Sequence, residues 1–129
     1  MRILVDTNIL FSALLFPNSK PAEALLDITR NHEMYLSDQN IAELRDILSR
    51  KRPDKLPELN TFLSELSFTL IPAVYTQSVT MRDAKDQPIL NAAIVEDVDI
   101  ILTGDKDFLS LGLDRPECLS VADFYEKFM

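Results

Sequence analysis

Glycine is nearly missing from this 129-residue chain: Gly104 and Gly112 are the two it has. No repeat, low-complexity stretch or flexible linker divides the sequence, so a single domain over residues 1–129 is expected. The one cysteine, Cys118, excludes an internal disulfide. The one histidine, His32, falls in an expected loop, and no zinc-spaced Cys/His set exists. Neither a GxxxxGK phosphate loop nor a GxGxxG turn is present. No apolar run approaches the ~20 residues that span a bilayer. The longest, residues 9–16, stops at Pro17. Asp6 interrupts the opening apolar residues too early for a signal peptide, so a reducing cytoplasm is the expected compartment and no membrane contact is expected. Basic residues are scarce as well: 13 Lys and Arg stand against 21 Asp and Glu, leaving a formal charge of −8. A protein that grips nucleic acid by charge alone shows the opposite balance. Either nucleic acid is not a partner, or a bound divalent cation neutralises the carboxylates where the substrate sits.

What is present is an alternation of short apolar runs with amphipathic ones. Ile3-Leu4-Val5 is fully apolar and reads as a strand buried on both faces. Residues 8–15 read as a short helix. Ser19 can cap a second helix with Pro21 in its first turn. Met34-Tyr35-Leu36 is a second strand, followed by Ser37 as a candidate cap of a helix running to about Arg52, before Pro53. Leu59, Phe62, Leu63 and Leu66 share a helix face. Residues 68–71 form a third strand and residues 89–95 a helix with Asp86 near its start. Ile100-Ile101-Leu102 is the clearest second central strand. Residues 119–121 are expected as an edge strand and residues 122–128 as a closing helix. The pattern predicts an α/β fold, a three-layer sandwich with a central parallel sheet of four or five strands flanked by helices.

In such sheets ligands bind beyond the carboxyl ends of the strands. Asp6 directly follows the first strand. Asp105 follows the Ile100 strand after Thr103-Gly104, with Asp107 two residues on. If those strands are neighbours, Asp6 and Asp105 face each other. Glu43 sits one turn into its helix and Asp86 at a helix start, so all four acids can converge. Taken singly, each has an ordinary reading: a helix cap or turn residue for Asp6, Asp86 and Asp105, a solvated helix residue for Glu43, a charge favoured by the helix dipole for Asp107. Only the set carries chemistry. Converged carboxylates repel, which raises a pKa unless a cation sits among them. Hard oxygen ligands suit Mg²⁺ or Mn²⁺, and such ions can activate water and steady the oxygens of a phosphodiester.

The set resembles the PIN-domain family of nucleases. Ile3-Leu4-Val5-Asp6-Thr7-Asn8 resembles its first motif, a strand ending in Asp-Thr-Asn. Residues 37–48, with Ala42-Glu43-Leu44, resemble the second. Asp83-Ala84-Lys85-Asp86 with Ile89-Leu90 and Ala92-Ala93 resembles the third, where Asp83 and Asp86 both fit and Asp86 is favoured. Ile101-Leu102-Thr103-Gly104-Asp105-Lys106-Asp107 resembles the fourth. The combination is similar to the stand-alone prokaryotic toxin components of toxin–antitoxin pairs, of the VapC kind. The resemblance implies a Mg²⁺- or Mn²⁺-dependent ribonuclease, with Asp6, Glu43, Asp86 and Asp105 as catalytic, metal-binding acids. It implies Asp107 as an auxiliary acid at the metal, and Thr7, Asn8 and Thr103 as supports that orient the carboxylates. It also implies an RNA substrate, a small antitoxin protein as partner and, in many members, a homodimer. Hydrolysis of this kind leaves a 5′-phosphate and a 3′-hydroxyl, with Asp107 able to take the proton.

The same residues speak against two other α/β chemistries. A haloacid-dehalogenase-like phosphotransferase needs Asp-x-Asp, and the third position is Asn8. A receiver domain needs an acceptor Asp ending its third strand, and Phe68-Thr69-Leu70-Ile71-Pro72 offers none. An inactive binding or scaffolding module would have no use for four converging acids, which would destabilise it. An RNA-processing nuclease without an antitoxin stays open. Lys20, Arg45, Lys85 and Lys106 are candidates for phosphate contacts. Arg50-Lys51-Arg52 with Lys55 reads first as helix-end cations complementing the macrodipole. Phe11, Phe16 and Phe108 read as core.

Overall fold

The computed structural model describes residues 1–74 and 86–129. Among them five strands form one parallel sheet: β1 (Arg2–Val5), β2 (Glu33–Ser37), β3 (Phe68–Ile71), β4 (Ile100–Leu102) and β5 (Glu117–Leu119), in the order β3-β2-β1-β4-β5. The helices are α1 (Thr7–Leu15), α2 (Lys20–Asn31), α3 (Asp38–Lys51), α4 (Leu59–Glu65), α5 (Gln87–Val95), α6 (Lys106–Leu109) and α7 (Val121–Phe128). A 3-10 turn, Pro53–Glu58, links α3 to α4.

Alternation along the central strands divides the interior into two cores. Ile3 and Val5 of β1, Met34 and Leu36 of β2, and Ile100 and Leu102 of β4 point to one face. There they meet Leu10, Leu25, Ile28, Leu44, Leu48, Leu59 and Phe124. Leu4, Tyr35 and Ile101 point to the other, where Ile89, Leu90, Ala93 and Phe108 cover them. Both faces are covered by helices, giving three layers. That is why Ile3, Leu4 and Val5 are all fully buried and why the run carries no polar residue until Asp6.

Local signals explain where elements begin and end. Ser19 and Ser37 cap α2 and α3 by accepting from the Ala22 and Asn40 backbone N–H groups. Arg52 closes α3 before Pro53. The last strand runs over Glu117–Leu119 rather than residues 119–121, because the Ser120 side chain accepts from Asp123 N–H and starts α7. Among the described residues no helix is long and apolar enough to cross a membrane.

The sheet order decides the site. β1 pairs with β4 in the register Val5–Leu102. The chain therefore leaves two adjacent parallel strands at the same level, and Asp6 N–H is still bonded to the Leu102 carbonyl at 2.9 Å.

Candidate active site

Asp6 leaves β1 in an extended conformation and caps α1. Its carboxylate accepts from Thr7 N–H at 2.8 Å and from the Thr103 hydroxyl at 2.8 Å. Thr103 is fully buried and its oxygen also accepts from Asp105 N–H at 3.0 Å. One threonine thus ties the ends of β1 and β4 together. Asp6 is only 4% exposed. Burial pushes its pKa above the ordinary carboxylate value, and the charges of Glu43 and Asp105 push the same way. The bonds from Thr103 and Thr7 favour the charged form but do not cancel the rise.

Asp105 follows β4 and caps α6, accepting from Asp107 N–H at 2.8 Å. The turn Thr103-Gly104-Asp105 returns α6 across the sheet end and brings Asp107 alongside. Across from them, Asp86 precedes α5. It does not cap that helix with its side chain, so the capping reading fails. Asp86, Asp105 and Asp107 each offer a carboxylate oxygen, and these lie within 4.8 Å of one another. One Asp86 oxygen is shut off from solvent. Asp83 and Lys85 lie outside the described residues.

Glu43 reaches the same end from α3. Its two oxygens accept from the Thr7 hydroxyl at 3.2 Å and from Gln39 Nε2 at 2.8 Å. Behind Thr7 stands Asn40, fully buried, whose side-chain amide donates to the Thr7 hydroxyl at 3.0 Å. Thr7 therefore connects the Asp6 helix to the Glu43 helix.

The structure thus brings the sequence-predicted acids to one end of the sheet: Asp6 and Asp105 just after β1 and β4, Glu43 in the second turn of α3, Asp86 immediately before α5 and Asp107 in α6. Thr7 and Thr103 hold carboxylates; Asn8 does not. Asn8 is exposed on α1, one helical step beyond Thr7, and takes no part in these bonds. Phe108 is core, Phe11 packs at the core edge, and Phe16 is 60% exposed because it follows the last turn of α1 into the loop. In the basic cluster at the C-terminal end of α3, Arg50 pairs with Asp46 at 2.9 Å, Arg52 with Asp54 at 3.0 Å and Lys55 with Glu58 at 3.5 Å. Lys20 lies over the Tyr125 ring. Burial lifts the Cys118 thiol to about 11, which keeps it protonated and unreactive near neutrality.

Sequence reasoning missed Asn40 and Gln39. A signal for Asn40 was present: Ser37 and Asn40 stand three apart, the capping-box spacing, and both halves of the box form. Its second contact, to a residue 33 positions earlier, has no local signature.

The sequence model of the PIN domain matches residues 2–107, a span holding all five acids. The chain belongs to the PIN-domain family. Its sequence is 31% identical over 118 residues to an uncharacterized protein of Methanocaldococcus jannaschii, spanning 86% of this chain and 75% of that protein. Among solved structures it resembles a chain of VapBC2 from Rickettsia felis, bound there to a DNA fragment from its promoter. The TM-score is 0.69 at 19% identity, over 93% of this chain and 98% of that one. The second likeness is one of PIN fold: a parallel sheet between helical layers.

Proposed function

We propose that this PIN-domain protein is a divalent-metal-dependent endoribonuclease and the toxin component of a toxin–antitoxin pair. The observation that carries the reading is Asp6: a carboxyl buried to 4% exposure, yet set beside two further acids, Glu43 and Asp105. Burial and like charge both disfavour its ionised form, an arrangement that costs stability unless a cation compensates. The neighbouring oxygens of Asp86, Asp105 and Asp107, within 4.8 Å of one another, fit a hard cation by spacing and by donor chemistry.

In this reading Asp6, Glu43, Asp86, Asp105 and Asp107 hold Mg²⁺ or Mn²⁺. An ion held there supplies Lewis-acid activation of water and offsets the charge of the phosphodiester. The chain's own work is orientation. Thr103 fixes Asp6 against Asp105 through one hydroxyl, and Thr7 and Gln39 fix both oxygens of Glu43. Asp107, in the single turn of α6, would take the proton from the attacking water in this reading. The products are a 5′-phosphate and a 3′-hydroxyl.

An apolar groove supports the partner in this reading. It has a volume of about 460 Å³ and is lined by Leu14, Leu25 and Leu26 from the first two helices and by Phe62 and Leu66 from the α4 side. Such a groove suits the apolar face of a short amphipathic helix. The VapBC2 likeness makes a small antitoxin the natural source of one.

The test is cleavage of structured and unstructured RNA with Mn²⁺, with Mg²⁺ and with EDTA, for the wild type and Asp6→Asn. Metal-dependent cutting that falls by about 100-fold or more in the variant is expected, since even residues behind the ligands are worth ~10–100-fold. Cutting that survives both EDTA and the substitution overturns the reading. Products ending in a 2′,3′-cyclic phosphate overturn the proposed polarity.

A further inference from the structure

We propose that Asn40 is a positioning residue for this site, acting through the Thr7 hydroxyl to keep Glu43 as a hydrogen-bond acceptor aimed at the other acids. The role of Glu43 at the metal rests on the reading above; the relay itself rests on the hydrogen bonds.

The direction of every bond in the relay is fixed by chemistry. A backbone N–H can only donate, and Ser37 N–H lies 3.2 Å from Asn40 Oδ1. That atom is therefore the amide oxygen and not the nitrogen. The Ser37 hydroxyl accepts from Asn40 N–H at 3.0 Å, which frees its own proton for the same Oδ1 at 2.9 Å. The other end of the amide is then the NH₂ group, which can only donate. It donates to Thr7 Oγ1 at 3.0 Å. With its oxygen receiving that bond, the Thr7 hydroxyl turns its own proton to Glu43 Oε2 at 3.2 Å. Glu43 is left as pure acceptor, with Gln39 on its other oxygen.

The residue type matters. The usual third residue of a capping box is Glu or Gln. A carboxylate at position 40 would satisfy Ser37 equally well but would present an acceptor to Thr7. The Thr7 proton would turn away from Glu43, and a further negative charge would sit behind an already crowded cluster. Asparagine is the shortest side chain with separate acceptor and donor atoms, Oδ1 for Ser37 and Nδ2 for Thr7. Ser37, Asn40 and Thr7 are all buried, so water cannot replace a lost bond.

A helix-capping role alone and a positioning role make different predictions. Ser37→Ala weakens the cap yet keeps the backbone N–H that orients the Asn40 amide. Four variants are measured for Mn²⁺ affinity by calorimetry, with thermal unfolding alongside: Asn40→Asp, Asn40→Ala, Thr7→Val and Ser37→Ala. Asn40→Asp, Asn40→Ala and Thr7→Val are each expected to weaken Mn²⁺ binding by about tenfold or more, as for residues behind metal ligands. Ser37→Ala should lower the unfolding temperature while Mn²⁺ affinity stays near the wild-type value. Adding Asn40→Ala to Thr7→Val should cost no further affinity, because the relay is already cut. Equal loss of affinity in Asn40→Ala and Ser37→Ala overturns the proposal, as does a full extra loss in the double variant. The Glu43 side-chain carboxyl carbon-13 resonance, read at one pH in the metal-free protein, needs neither metal nor activity. It should move in Asn40→Ala and Thr7→Val and stay put in Ser37→Ala. If the wild type binds no Mn²⁺ while that resonance behaves so, the relay stands and the metal reading falls. A resonance unmoved by Asn40→Ala overturns the relay. Should Asn40→Asp not fold, Thr7→Val and the resonance carry the test.

Discussion

At the scale of single residues, Asp6 carries opposite demands from stability and function. Its folded pKa lies above the ordinary carboxylate value of 3.8, with burial the first cause. Such a group binds its proton more tightly folded than unfolded. Its contribution to stability is therefore full below the unfolded value and is lost as pH rises through the raised folded value. In EDTA, Asp6→Asn should remove that part of the pH dependence: wild-type thermal stability declines from acid toward neutral pH more steeply than the variant's. Parallel profiles would contradict the burial argument. Thr103→Val tests the neighbouring contact. It strips a buried hydroxyl that donates to Asp6 and accepts from Asp105 N–H. Urea unfolding should show a loss of about 1–3 kcal/mol. Asp6, Asp86 and Asp105 were legible in the sequence because they follow an apolar run or stand at a helix start, positions that topology sends to one sheet edge; Glu43, inside α3, was legible only through the motif it resembles. Asn8 was legible only as a motif letter; helical rotation turns it outward. Asn40 was hidden because what defines it is a partner brought from another element by folding.

Among elements, caps and alternation were readable, while neighbour relations were not. Ile3-Leu4-Val5 and Ile100-Ile101-Leu102 announce strands buried on both faces, but nothing local says that β4 rather than β3 lies beside β1. That adjacency rests on pairings between strands at opposite ends of the chain, Val5 with Leu102 among them. The shift of β5 to Glu117–Leu119 has a similar origin. Val121 reads as strand by propensity, yet Ser120 caps α7 and the helix takes Val121 as its first residue. This cap is testable apart from the site. Ser120→Ala removes the acceptor of Asp123 N–H, a bond of 3.1 Å, and should cost about 1 kcal/mol, lowering the melting temperature by a few degrees with RNA cleavage unchanged. Phe124→Ala in the same helix should cost more, about 3–5 kcal/mol, because the ring is fully buried in the face that holds Leu25 and Ile28. A small effect of Phe124→Ala in denaturant unfolding would mean that α7 is not part of the cooperative core.

For the whole molecule the governing quantity is a charge of −8, since any cation stabilises such a surface by screening. Specific binding must be separated from that general effect. A site that binds only the folded chain adds RT ln(1 + [L]/Kd), about 2.7 kcal/mol at a hundredfold excess over Kd. For a chain of this size that is on the order of 10 °C in melting temperature. Screening follows ionic strength and is blind to which carboxylate is replaced. Mn²⁺ and NaCl at matched ionic strength should therefore diverge for the wild type, with Mn²⁺ giving the larger rise. Asp105→Asn should lose most of the Mn²⁺ increment, because it takes a carboxylate from the group of three oxygens within 4.8 Å and from the neighbours of Asp6. Asp54→Asn, in the 3-10 turn after the C-terminal end of α3 and paired with Arg52, removes the same unit of charge about three helical turns from Glu43 and should keep the increment. If the two substitutions act alike, the carboxylates stabilise the chain's response to Mn²⁺ only as diffuse charge, and the sheet end holds no ion. If they part as expected, a protein poor in basic residues has its negative field broken by a bound cation at the sheet end, where Asp86, Asp105 and Asp107 are gathered.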